Sequence, residues 1–220
     1  MDADWGCGGP VAARDTIREA LDRAPELRMM ALMPALPAYA RIPVDAYLAG
    51  EVASETKHDY VDGAVFAMAG GTVRHNRIAS NVLGSLHGQL RGNPCRPFNS
   101  DMKIRIRMPS HTRFYYPDLS IVCQSNPDTE DFQDQPAVIV EVLSGSTRRA
   151  DQGEKKDAYL TIPSLCVYIM VEADATAAVV FRRGAAGFER EVYEGEEAVI
   201  ELPEVRAALP LAEVYESAGI

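Results

Sequence analysis

Hydrophobic residues recur at two different spacings along this chain, and the spacing separates helices from strands. Aliphatic residues at every fourth position from Ile78 to Leu90 form one apolar face, which predicts a helix over residues 72–91. Thr72 can cap its start, and Gly92 can end it. A shorter helix is expected over residues 43–49.

Alternation with a period of two predicts strands elsewhere. Residues 57–61 and 64–68 flank an Asp62-Gly63 pair, which is the pattern of a β-hairpin with a two-residue turn. Residues 101–107 alternate strictly between apolar and charged side chains, as in a strand with one face against a core.

Continuous apolar runs predict strands that are buried on both faces. Such runs occupy residues 137–143 and 167–171. Residues 115–122 also read as a strand, and a meander follows over 177–193. Because strands outnumber helices and one helix separates two buried strands, the fold class is α/β (α+β), with a mixed β-sheet flanked by helices.

Two carboxylates interrupt the apolar runs. Glu141 lies in the middle of residues 137–143, on the same strand face as Ile139 and Leu143. A carboxylate there must be compensated by a cation, a metal ion or hydrogen bonds. Asp118 follows Pro117, which lacks a ladder donor and predicts a sheet edge or a bulge at that point.

These acids and a lysine from the next predicted helix, residues 151–159, indicate a site for a hard divalent cation. Such cations bind one or two carboxylates together with water and substrate phosphate. The alternative is structural, because buried carboxylates also occur in ion pairs. Lys155 lies four residues after Asp151 and can simply pair with it on the helix surface.

The charged face of residues 101–107 also has two interpretations. Asp101, Lys103, Arg105 and Arg107 share this face, and the favoured interpretation is a sheet face in contact with solvent. The alternative is a basic strip beside the metal site that binds phosphates.

Composition narrows the class of protein. A net charge of −10 and a pI near 4.9 argue against non-specific coating of nucleic acid, but they are compatible with a nuclease that has a local basic lining. The four cysteines show no zinc-binding spacing. Cys123 and Cys166 lie at the ends of apolar strands, so we expect them to be small buried apolar residues in a reducing cytoplasm. No apolar run is long enough to span a membrane.

Two regions are expected along the chain. Residues 1–40 form an N-terminal extension, either a mobile tail or the product of an upstream start codon, with no strand nearby for it to cover. Residues 41–220 form one domain with a sizeable core.

Several short motifs occur in the order found in one known family. The chain resembles the Uma-type restriction endonucleases of bacteria, a branch of the PD-(D/E)XK nuclease superfamily, from about Ile42 to Tyr215. The resemblance implies a restriction-endonuclease-like core and magnesium-dependent hydrolysis of phosphodiester bonds in DNA, with manganese as the alternative ion. The motifs that carry it are Lys57–Gly63, Met68–Gly70, His75-Asn76, Ser100–Lys103, Tyr116–Asp118, Val140–Ser144 and Asp151–Tyr159.

The resemblance also assigns roles to the residues singled out above. Asp118 is the acid of the Pro-Asp motif, and Glu141 is the acid of the E-x-K element. The usual lysine of that element falls at Leu143, which cannot serve, and the family places it instead on the following helix at Lys155. Lys156 is the less favoured substitute.

Asp59 stands where the family usually has glutamate, so its carboxylate is one methylene shorter in reach toward the metal. The expected metal ligands are thus Asp59, Asp118 and Glu141. His75 is expected to cap a helix or lie at the edge of the core, in preference to a catalytic role. Residues assigned to supporting or phosphate-binding positions are Asp101, Lys103, His75 and Tyr159.

The favoured function is a metal-dependent DNA endonuclease that uses Asp59, Asp118, Glu141 and Lys155. One alternative is a non-catalytic nucleic-acid-binding or regulatory module that keeps the nuclease fold. Another is an acidic protein-interaction domain whose charged residues are structural. A homodimer is compatible with cutting both strands of a duplex by two-fold symmetry.

Overall fold

The computed structural model describes residues 41–68, 70–143 and 153–220 of the chain. The expected N-terminal extension over residues 1–40 and the first helical residue of the expected 151–159 segment, Asp151, lie outside these ranges. None of the helices in the described ranges is long and apolar enough to cross a membrane.

A five-stranded sheet is built from the hairpin and the charged strand. Its strands are β1 (His58–Val61), β2 (Ala64–Ala67), β4 (Lys103–Arg107), β5 (Thr112–Tyr115) and β7 (Phe132–Gln133). Their order is β2-β1-β5-β4-β7. β4 and β7 pair in parallel, while the other neighbours are antiparallel.

A six-stranded sheet carries most of the buried strands. It contains β3 (Arg96–Asn99), β6 (Leu119–Val122), β8 (Pro136–Leu143), β9 (Val167–Glu172), β10 (Ala177–Gly184) and β11 (Gly187–Glu194), in the order β11-β10-β9-β8-β6-β3. β8 and β9 are parallel. A separate antiparallel pair is formed by β12 (Val199–Leu202) and β13 (Ala207–Pro210).

Four helices accompany the sheets in the described ranges: α1 (Val44–Ala53), α2 (Val73–Gln89), α3 (Glu154–Leu160) and α4 (Leu211–Val214). α2 is the predicted long helix, and the Thr72 side chain caps it by accepting a hydrogen bond from the His75 N–H. α3 lies between the parallel strands β8 and β9, which is the usual connection for a parallel pair. The predicted mixed α/β (α+β) architecture is therefore confirmed.

The core explains why β8 is apolar at every position except Glu141. Val138, Val140 and Val142 pack with the apolar face of α2 in the largest cluster of buried residues. Ile139 and Leu143 point to the other face, where a second cluster includes the aromatic residues of α3 and β9. Glu141 lies two residues from each of them, so its carboxylate is on the same face, as its position in the sequence predicts.

The hairpin is confirmed. β1 and β2 are joined by Asp62 and Gly63, both at positive φ (50° and 89°), which is the backbone that a two-residue turn of this kind requires. The predicted first helix is longer than expected and continues past Gly50 to Ala53.

The predicted strand over residues 115–122 is two strands, and this is a correction. β5 ends at Tyr115 in the five-stranded sheet, and β6 begins at Leu119 in the six-stranded sheet. Pro117 lies in the link between them and not at an edge or a bulge. A proline cannot donate to a sheet ladder, which accounts for the break in pairing at this point.

The prediction of a solvated charged face holds at Asp101 and Arg107, whose side chains are 72% and 69% exposed, but not between them. Lys103 is buried at 3% exposure and pairs with Asp131. Arg105 forms two hydrogen bonds of 2.7 Å with Asp134, and its guanidinium lies 4.2 Å from the centre of the Phe132 ring. The segment around β7 therefore covers the middle of this face and neutralises much of its charge.

Two cysteines depart from the expected role of separate apolar residues. Cys95 and Cys123 form a disulfide across a sequence separation of 28 residues. Cys95 immediately precedes Arg96 of β3, and Cys123 immediately follows Val122 of β6. Because Arg96 and Val122 are paired in antiparallel strands, the two cysteines lie opposite each other. Cys166 has a free thiol, and burial raises its pKa. The disulfide removes the basis for inferring a reducing compartment from the cysteines.

Candidate active site

The two acids of the apolar runs meet where β6 pairs with β8. Leu119 lies opposite Val140 in this antiparallel pair, so Asp118 reaches the backbone one position further along β8. The N–H of Val142 donates to Oδ2 of Asp118 at 2.7 Å. The N–H of Asp118 donates to Oε2 of Glu141 at 3.4 Å. The Asp118 carboxylate is thus held by the residue after Glu141, and the Glu141 carboxylate is held by the backbone of Asp118.

The link between the sheets is held from two sides at Tyr116. Its N–H donates to Oδ1 of Asp59 on β1 at 3.3 Å, and its carbonyl oxygen accepts from Nζ of Lys155 on α3 at 3.4 Å. These contacts fix the backbone immediately before Pro117 and Asp118. They connect the five-stranded sheet and α3 to the pair of acids.

Lys155 compensates the buried charge of Glu141. Its Nζ lies 3.0 Å from Oε1 of Glu141, and the two side chains are only 8% and 4% exposed. The ammonium is also 5.7 Å from the centre of the Tyr115 ring. Lys155 therefore points into the protein toward the acids, and the alternative of a surface lysine on α3 does not hold.

Leu143, at the usual position of the lysine in the E-x-K element, is fully buried in the second cluster. It packs with Tyr159 and Tyr168 in that cluster, where an unpaired ammonium would lose its hydration. The cation of this site thus comes from α3, and the leucine completes the core beneath it.

His75 belongs to the site by its side chain and to the helix cap by its backbone. Its Nε2 lies 3.2 Å from Oδ2 of Asp118, with 13% of the His75 side chain exposed. Its N–H is the group that Thr72 caps. His75 thus lies at the capped start of α2, as expected, and its ring also contacts Asp118; a catalytic role for it stays a prediction. A Cβ atom on Gly71 would lie 2.8 Å from Nδ1 of His75, so a glycine leaves room for the ring.

Asp59 is linked to the acid pair through the backbone of Tyr116 but does not complete a three-acid cluster. Among the residues that the structure describes, no three His, Cys, Asp or Glu side chains are arranged to hold a metal ion. Asp59 instead contacts the Tyr116 backbone. Its predicted role as a third metal ligand stays a prediction.

Tyr159 lies beneath the pair of acids. It is fully buried between Tyr115 and Tyr168, with ring centres 5.7 Å apart in both cases. Burial, and then the nearby charges of Glu141 and Asp59, raise the pKa of its phenol. Within the described ranges its hydroxyl has no hydrogen-bond partner, so Tyr159 supports the site as a neutral group.

Asp101 and Lys103 lie around the Tyr116 ring. Lys57 pairs with Asp101, and the ammonium groups of Lys57 and Lys103 are 5.7 and 5.6 Å from the centre of that ring. The hydrogen bond from Lys57 lowers the pKa of Asp101. Both predicted residues thus border the link at Tyr116, but both are engaged by other charged residues.

Glu51 was missed by sequence reasoning. Its carboxylate accepts from the Tyr116 hydroxyl at 2.8 Å and contacts Nδ1 of His58 at 2.7 Å, and its side chain is only 6% exposed. The one signal was its spacing of four residues from Tyr47 on α1, which puts both on one helix face. Glu51 fixes the Tyr116 ring and the start of β1.

The donor chemistry at the acid pair fits a hard divalent cation. Mg²⁺ in proteins takes one or two carboxylates and fills its remaining positions with water and substrate phosphate. Asp118 and Glu141 supply two adjacent carboxylates, and 17% of the Asp118 side chain is open to solvent. A buried cluster of three protein ligands is not needed for such a site.

Several known proteins are similar to this chain in sequence or in fold. The sequence profile of the Uma2 family, described as "Putative restriction endonuclease", matches residues 40–212. Two proteins of Synechocystis sp., each named only as an uncharacterized protein, are similar over most of their length. One, slr1290, is 31% identical over 160 residues, which are 72% of this chain and 83% of that protein. The other, sll1609, is 29% identical over 129 residues, which are 57% of this chain and 72% of that protein.

A solved structure has the same fold. It is described as a "putative nuclease belonging to DUF820" from Anabaena variabilis, and it superposes with a TM-score of 0.62 at 15% sequence identity. The match covers 75% of this chain and 93% of the other. At this identity the likeness establishes a shared architecture.

Proposed function

Because this chain belongs to the Uma2 ("Putative restriction endonuclease") family, we propose that it is a divalent-metal-dependent endonuclease that hydrolyses phosphodiester bonds in DNA. The observation that carries the proposal is the convergence of Glu141, Lys155 and His75, from three separate elements, on Asp118 in the link before β6. A buried carboxylate paired with a buried lysine, beside a second acid that reaches solvent, is a costly arrangement for a purely structural core.

Asp118 and Glu141 would hold the cation, with Asp59 as a further candidate ligand. Magnesium is the expected ion and manganese the alternative, since both prefer oxygen ligands. When bound, the ion supplies Lewis acidity that polarises the scissile phosphate and offsets its developing charge.

The chain's own residues have distinct roles in this proposal. Hydrolysis forms a bond from water oxygen to phosphorus and breaks the phosphorus–oxygen bond to one deoxyribose, whose oxygen takes up a proton. The ammonium of Lys155 lies 3.0 Å from Glu141, which would hold the cation. From this position Lys155 can donate hydrogen bonds to the attacking water or to a phosphate oxygen. His75 holds the Asp118 carboxylate at the solvent-open side of the site.

The proposal is tested by incubating the purified protein with supercoiled plasmid and Mg²⁺ or Mn²⁺. We expect nicking by the wild type and at least a hundredfold loss in Asp118→Asn and Glu141→Gln, each of which removes one negative charge from the acid pair. The matched control is Glu196→Gln, which makes the same change at an exposed position in the turn before β12. Equal background nicking by all four proteins would refute the proposal.

Binding of plasmid without nicking, unaffected by a chelator, would favour the non-catalytic module instead. A homodimer is part of the proposal for cutting both strands, since two copies related by a two-fold axis present two sites to the two antiparallel strands. Sedimentation analysis of the protein with and without duplex DNA tests this part.

A further inference from the structure

Phe66 is the one exposed aromatic side chain in the part of the chain that the structure describes. It is 55% exposed, whereas every other described phenylalanine and tyrosine is buried or partly buried. Phe66 also belongs to none of the hydrophobic clusters formed by the described residues. The Phe66 ring therefore does not contribute to the described core and is accessible to a ligand.

The register of the hairpin places this ring next to the site. Phe66 on β2 lies directly opposite Asp59 on β1, and side chains of directly opposed residues project from the same face of a sheet. The next pair, Tyr60 and Val65, faces the other way and packs into the third cluster. β2 is the outermost strand of its sheet, so the Phe66 ring stands at the open rim beside Asp59.

The Phe66 ring thus offers apolar surface beside the carboxylate of Asp59. A phosphodiester substrate presents charge at the phosphate and apolar π-faces at the bases on either side of it.

We propose that the Phe66 ring stacks on a nucleobase adjacent to the scissile phosphate, and that the substrate is DNA with an unstacked base at that position, as in single-stranded or locally unpaired DNA. This inference rests on the proposed nuclease function and names its substrate class. In an intact duplex both faces of each base are covered by neighbouring bases. A stacking ring therefore needs a base that has left the stack or has no partner.

Binding is measured with a fluorescent single-stranded oligonucleotide in the Asp118→Asn background, so that cutting does not alter the probe. Loss of one base–aromatic contact typically weakens binding by about 5- to 150-fold, and we expect this range for Phe66→Ala. Phe66→Trp keeps an aromatic face and should bind like Phe66. The matched control is Val192→Ala, which truncates another exposed apolar side chain, 49% exposed on β11.

An abasic scan separates stacking from general loss of affinity. Single abasic sites are placed in turn along the oligonucleotide. At one position, the abasic site is expected to weaken binding to the protein that keeps Phe66 by the same factor by which Phe66→Ala weakens binding to the intact oligonucleotide. At that position Phe66→Ala should show no further loss, because the two changes remove the same contact. Additive losses at every position would contradict the inference.

Three further results would also overturn the inference. Unchanged single-strand affinity of Phe66→Ala overturns the inference, while metal-dependent nicking of plasmid by the Phe66 protein leaves the proposed function standing. A change in sedimentation caused by Phe66→Ala, without a change in DNA affinity, assigns the ring to a protein interface and also overturns it. No single-strand binding by any variant overturns it as well, and nicking then reports on the function separately.

Discussion

Removing the lysine of the buried ion pair should unfold this protein far more readily than removing both partners. In Lys155→Met, Glu141 keeps the N–H of Asp118 but loses the ammonium 3.0 Å away. At an effective dielectric constant of about 20, two unit charges at that distance attract by roughly 5–6 kcal/mol. The cost of burying both ions offsets much of this attraction in the native protein.

The single variant therefore leaves a buried carboxylate without its cation, which typically costs about 3–5 kcal/mol. For a domain of this size the loss corresponds to a fall in Tm of about 6–20 °C. The double variant Lys155→Met/Glu141→Leu removes both charges and should regain most of the wild-type free energy of unfolding, although we expect it to be inactive. Lys156→Met, which truncates the neighbouring lysine of α3, is the control.

The assay is urea unfolding of these four proteins and of Glu141→Leu at neutral pH, followed by tyrosine fluorescence and circular dichroism. The double-mutant cycle gives the coupling between the two residues directly. A Lys155→Met loss below about 1 kcal/mol would show that the ammonium is not the group that compensates Glu141. A double variant no more stable than the single one would refute the reasoning just as clearly.

Three further predictions follow from particular contacts. Gly71→Ala should keep the fold but lower nicking at least tenfold, because the new Cβ would lie 2.8 Å from Nδ1 of His75 and would displace the ring. The control is Gly70→Ala, which has open space around its Cβ, and equal activity of the two variants would contradict the role of His75. Reducing the disulfide between β3 and β6 should lower the free energy of unfolding by about 3–4 kcal/mol, from the entropy of its 28-residue loop; an unchanged urea midpoint in dithiothreitol would oppose this. Burial alone would raise the pKa of Asp134, but the hydrogen bonds and charge of Arg105 hold it below its usual value. Asp134 thus adds stability above its unfolded pKa of about 3.9 that is lost as pH falls through the lower folded pKa, so the Tm difference between wild type and Asp134→Asn should shrink on acidification; a constant difference would contradict it.

The local sequence pattern was sufficient to predict those features of the fold that depend on local backbone geometry. The period of α2 and the Asp62-Gly63 turn each fix an element from a few neighbouring residues. The alternation along β8 also places Glu141 on the correct face, because side chains alternate regardless of what the strand packs against. These features required no knowledge of the rest of the chain.

The features that pattern missed depend on contacts between distant segments. His75 meets Asp118 across 43 residues, as the difference of their numbers shows, and neither neighbourhood signals the contact. The split of the strands into two sheets rests on the break at Pro117, where an apolar run is continuous in sequence. The burial of Lys103 requires the segment that carries Asp131 to fold over β4. The sequence pattern indicated Lys155 beside the acids but left a surface pair with Asp151 open, and the resemblance favoured the site.

The most direct test of the account is the dependence of the nicking rate on metal in one sample of protein. We expect no nicking after dialysis against EDTA, a rate that rises with added Mg²⁺ to a plateau, and no rise at any Mg²⁺ concentration in Asp118→Asn. Glu196→Gln should follow the wild-type curve. A rate that persists in EDTA, or an Asp118→Asn protein that follows the same curve, would contradict the assignment of the acid pair as the metal-dependent centre.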